Sequence, residues 1–86
     1  MSVLNQEKIK EKIEILNHEN SLDLSEFEEF QVEVGLIDFN DDPTTWFDSV
    51  TLDIIAEDVK LAKDIALGVV NNYLESNGYS YITEVQ

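Results

Sequence analysis

Phe30-Gln31-Val32-Glu33-Val34-Gly35-Leu36 alternates large apolar residues with polar or small ones, and the reading of this stretch decides the fold. A period of two places Phe30, Val32, Val34 and Leu36 on one side of a strand, with Gln31, Glu33 and Gly35 on the other. Ile37 and Phe39 interrupt the alternation, so Gly35 is expected to mark a bulge where the inward face changes. Asn40-Asp41-Asp42-Pro43-Thr44 is a turn by composition. Trp46 to Ile54 then alternates again, with Val50, Leu52 and Ile54 opposed to Ser49, Thr51 and Asp53. Two alternating runs joined by a short polar loop read as an antiparallel pair.

Working outward, residues 57–76 read as a long helix that opens on Glu57 and Asp58, where the positive end of the dipole favours acids. Val59, Ala62, Ala66, Val69, Val70 and Tyr73 fall on one face, and Asn77-Gly78 is a stop. Leu61 and Leu67 border that face and are expected to widen the core. Residues 79–85 alternate once more and give a third strand. Upstream, Ile9, Ile13 and Leu16 form the apolar stripe of a helix over residues 4–17, capped by Ser2 or Asn5, with polar residues 18–21 ending it. Ser25 and Glu28 have capping-box spacing, consistent with a short helical turn between the first helix and the first strand. The order α-β-β-α-β makes residues 1–86 a single α+β domain, a three-stranded, mainly antiparallel sheet with two helices packed on one face.

The charge pattern is as informative as the hydropathy. Between Lys12 and Lys60 no cation occurs in 47 residues, which carry fourteen carboxylates. The flanks nearly balance, so the net charge of -14 resides in the middle segment. Disordered acidic tails lack large apolar residues, whereas this segment holds Phe27, Phe30, Val32, Leu36, Trp46 and Leu52. A folded, negative surface is expected. Ordinary domains intersperse the two signs, and carboxylates closer than a Debye length of about 8–10 Å repel one another.

Several function classes are excluded or disfavoured by composition. Nucleic-acid backbones and anionic lipid surfaces would repel the chain, and it contains no arginine for a bidentate phosphate clamp. No apolar run approaches the ~20 residues of a membrane span, and residues 1–8 lack the core of a signal peptide. A soluble cytoplasmic protein is expected. With no cysteine, one histidine (His18) and no Gly-framed serine, the usual nucleophilic triads cannot be assembled, and the expectation is a non-enzyme without cofactor. Asp38, Asn40 and Asp42 match the first three ligand positions of a calcium-binding EF-hand loop. Pro43 stands where the loop needs glycine and Ser49 where it needs glutamate, so an Asx-rich turn is expected and no metal site.

Outward carboxylates two residues apart on a strand are about 6.7 Å from one another, a spacing of the same order as that of phosphates along a nucleic-acid strand. Glu26, Glu28, Glu29, Glu33, Asp38, Asp41, Asp42, Asp48 and Asp53 are therefore the candidate partner-binding residues, with Trp46 as an aromatic anchor. The partner expected is a basic surface of a nucleic-acid-handling protein. In size and charge alone the chain is similar to the small acidic inhibitors that phages and mobile elements direct against host nucleases, glycosylases and CRISPR effectors. That resemblance implies an anti-defence inhibitor, such as an anti-CRISPR, acting in the host cytoplasm. The alternatives are an assembly subunit of a phage or bacterial complex, homodimeric through the second helix or a sheet edge, and an immunity protein or antitoxin for a basic toxin.

Overall fold

The computed structural model describes residues 3–21, 28–41 and 43–86, without the side chains of residues 20 and 21. The expected turn around Ser25 lies outside the described residues. Five elements follow in the expected order: α1 (Gln6–Ser21), β1 (Glu28–Ile37), β2 (Asp48–Ala56), α2 (Val59–Ser76) and β3 (Ile82–Val85). The sheet order is β2-β1-β3, and both pairings are antiparallel. Alternation makes β1 one-sided, since Val32, Val34 and Leu36 are buried while Glu29 and Gln31 are exposed. Its register sets Val32 opposite Leu52 and Val34 opposite Val50, so the apolar face of β2 continues that of β1.

Both helices cover this face. Ala62, Ala66, Val69, Val70 and Leu74 of α2 and Ile9 and Ile13 of α1 join the strand residues in one core. The alanines let the α2 backbone approach the sheet closely. Asp58 caps α2, its Oδ1 accepting from the Leu61 N–H at 2.8 Å. The helix ends in a Schellman motif, with Gly78 at φ 76° and the Gly78 and Tyr79 amides donating to the Glu75 and Leu74 carbonyls. Asn5 caps α1 by accepting from the Lys8 N–H.

Several boundaries differ from those read in the sequence. Residues 18–21 continue α1 instead of ending it, so polarity alone did not stop the helix. The second strand runs over 48–56, and Trp46 and Phe47 precede it. The third strand is only four residues long, because Tyr79 is engaged in the α2 terminus. Leu67 packs against the core as expected, whereas Leu61 is exposed beside the capping turn.

Gly35 marks no bulge. The pairing with β2 continues through it in register from Glu28 to Leu36. Its role is steric. A Cβ at this position would lie 1.8 Å from Cδ2 of Trp46, so the indole rests directly on the glycine. Ile37, next on the same side, is buried despite facing away from the helices.

The two sheet edges are treated differently. The outer edge of β2 is covered by α1, whose Asn17 donates through Nδ2 to the Asp53 carbonyl at 2.8 Å and accepts at Oδ1 from the Ile55 N–H at 2.9 Å. The side-chain amide thus stands in for a neighbouring strand. Asn17→Ala is expected to cost about 1–2 kcal/mol, from the loss of both hydrogen bonds with water replacing them in part, a fall of roughly 5–10 °C in thermal midpoint for a domain of this size. Thermal unfolding monitored by circular dichroism checks it, and an unchanged midpoint would show the clamp to be idle.

Candidate partner-binding face

The side of the sheet turned away from the helices is built from the odd-numbered residues of β1 and β2 and the even-numbered residues of β3. It presents Glu29, Gln31 and Glu33 from β1, Thr51 and Asp53 from β2 and Glu84 from β3, with the half-buried Trp46 across Gly35. No strand contains a lysine or arginine. All five lysines lie on the helices, and Lys60 is paired there with Asp64 at 3.3 Å.

Register explains how the sheet tolerates these charges. Glu29 stands opposite Ile55, Asp53 opposite Gln31, Glu33 opposite Thr51 and Glu84 opposite Gly35. Each carboxylate therefore faces an uncharged partner, and its acidic neighbours lie on the diagonals, about 7–8 Å away. Directly opposed like charges would be destabilising. The staggered arrangement spreads the charge over three strands while avoiding that contact.

The ten residues singled out in the sequence do not all join this face. Glu29, Glu33, Asp53 and Trp46 do. Glu28 is exposed at the start of β1 but shares the parity of the helix-facing residues. Asp38 and Asp41 lie in the turn beyond β1, where the Asp38 Oδ1 accepts from the Asn40 N–H at 3.1 Å and the Asp41 N–H donates to the Asp38 carbonyl. This is the Asx turn expected from composition. Glu26 and Asp42 lie outside the described residues.

Asp48 is the instructive departure. Its two carboxylate oxygens accept from the Leu4 and Ser49 amides at 3.1 and 2.9 Å, which fastens the start of α1 to the start of β2. Tyr73 of α2 secures the same segment, its hydroxyl accepting from the Asn5 N–H and donating to the Val3 carbonyl. Asp48 thus holds chain segments together, and it does not share the open face.

Glu84 is on that face and was missed. Alternation in residues 79–85 gave its parity, but only the strand order places it beside Glu33.

At the end of the sheet nearest the Asp38 turn, aromatic residues gather around Tyr81, which packs against the core. Phe47 and Tyr81 meet edge to face at 4.8 Å, and Tyr79 stacks on Tyr81 at 5.8 Å. Phe47, Tyr79 and Ile82 are 45%, 40% and 47% exposed, a degree of exposure that marks this end as unpartnered surface among the described residues. The described residues contain no group of three or more His, Asp or Glu side chains placed to hold a metal ion, and no helix long and apolar enough to cross a membrane. Comparison with protein-family models, curated proteins and solved structures returns no match to the chain.

Proposed function

We propose that the chain is a small non-enzymatic binding protein whose open sheet face occupies the basic, nucleic-acid-binding cleft of a partner protein and blocks it. One observation carries this reading. Glu29, Glu33, Asp53 and Glu84 share the sheet face turned away from the helices, on which no strand supplies a cation. Carboxylates so arrayed offer a basic cleft a repeating negative charge in place of phosphates. Association is driven by electrostatic steering and completed by pairing of the carboxylates with lysine and arginine side chains. Such a protein works in the compartment of its target, here the cytoplasm, in the manner of an anti-defence inhibitor.

Competition tests the idea. The chain is immobilised, exposed at low salt to nuclease-treated bacterial lysate, and eluted with double-stranded DNA at constant ionic strength. Nucleic-acid-binding proteins released by the DNA are the expected result. Retained proteins that leave with salt but remain bound in excess DNA would rule out mimicry.

A further inference from the structure

The sheet has one closed edge and one open edge. Asn17 of α1 occupies the outward backbone of β2, whereas β3 is the last strand on the other side. Ile82 and Glu84 pair with Ile37 and Gly35, and the Gln86 N–H donates to the Glu33 carbonyl. A strand residue sends its N–H and C=O to the same side, so Thr83 and Val85 turn theirs outward. Among the described residues no strand receives them. Tyr79, Tyr81 and Ile82 lie at the start of this edge, and Phe47 meets Tyr81 from the β2 side.

We infer that β3 accepts an extended, arginine-bearing segment of the partner as a fourth strand. This rests on the proposed reading that the partner is basic. An added strand lies about 4.8 Å from β3. Its side chains on the open face stand beside Glu84, with Glu33 one strand further, and charge complementarity requires them to be cationic. Those on the opposite side meet Thr83 and the half-buried Val85, which suits small or apolar residues. Tyr79, exposed at the start of this edge and stacked on Tyr81, offers its ring to a guanidinium, which stacks on aromatics better than a lysine ammonium does. Charge also disfavours a second copy, because antiparallel β3 pairing would bring two Glu84 side chains near each other between molecules of net charge -14. Backbone pairing supplies affinity in this mode, and alternate side chains supply selectivity.

Two peptides of identical alternating Arg-Val sequence test the inference, one carrying N-methyl groups on alternate residues. The methyl groups remove backbone donors without changing charge. The plain peptide is expected to bind at least about ten-fold more tightly than the methylated one, to slow exchange of the Thr83 and Val85 amide hydrogens, and to weaken with Tyr79→Ala. Equal affinity of the two peptides, without amide protection, overturns strand addition. If both peptides still weaken when the face carboxylates are neutralised, the acidic-face reading survives that failure. Binding of neither peptide at low salt overturns both readings. Protection of Thr83 and Val85 that depends on protein concentration without peptide identifies a second copy as the occupant, and also overturns the inference.

Discussion

Gly35→Ala is expected to lower the thermal midpoint by roughly 10–20 °C, from about 2–3 kcal/mol of overpacking in a domain of this size. Intrinsic preference points the other way, since alanine in a strand interior is favoured over glycine by about 0.5–1 kcal/mol. The steric term wins because the added methyl group would lie 1.8 Å from Cδ2, 2.2 Å from Cε2 and 2.3 Å from Cε3 of Trp46. Three ring atoms cannot yield by a small rotation, and the indole must leave the sheet. A double-mutant cycle isolates the cause. Trp46→Ala alone should destabilise, and adding Gly35→Ala to it should cost little more, so the pair couples strongly. Thermal unfolding of the four proteins decides it. A midpoint that rises in the Gly35→Ala single variant would show that the indole does not hold this position.

The second large effect concerns binding. Combining Glu29→Gln, Glu33→Gln, Asp53→Asn and Glu84→Gln is expected to slow association with the DNA-released partner by about ten-fold at low ionic strength and to flatten its salt dependence. The fold should tolerate the change, with a midpoint equal to or above that of the parent, because each carboxylate stands opposite an uncharged residue and repels its diagonal neighbours. Neutralising Glu7, Glu11, Asp64 and Glu75 on the helices instead removes the same formal charge without touching a strand. That variant should retain most of the on-rate. Equal slowing of the two would mean that net charge, not this face, governs recognition.

The contrast between these two sets of carboxylates also shows how far the sequence could be read. Alternation in residues 30–36 and 46–54 specified which strand side chains turn toward the helices, because a one-residue slip would have exposed Val32, Val34, Val50 and Leu52 together. Helical spacing likewise identified Ala62, Ala66, Val69 and Val70 as core, whereas Val59, read on the same face, is exposed in the first turn. Long-range pairing was not legible. Asp48 has the same composition signal as Asp53, and only the arrival of the Leu4 amide, 44 positions away in the chain, turns it into a fastener. Asn17 looked like a polar helix residue until β2 was placed beside it. Gly35 suggested a local backbone irregularity, whereas its cause is a tryptophan eleven positions along the chain. Strand order, which makes Glu84 a neighbour of Glu33, has no local signature at all.

The packing of Trp46 on Gly35 has an optical consequence. This is the chain's single tryptophan, and it rests half-buried on the carboxylate-bearing side of the sheet. Its fluorescence therefore reports from the surface where docking is proposed, without any attached dye. The local field draws in cations and turns away anions, so caesium should quench this emission more efficiently than iodide. A basic partner seated on the face would reduce that difference.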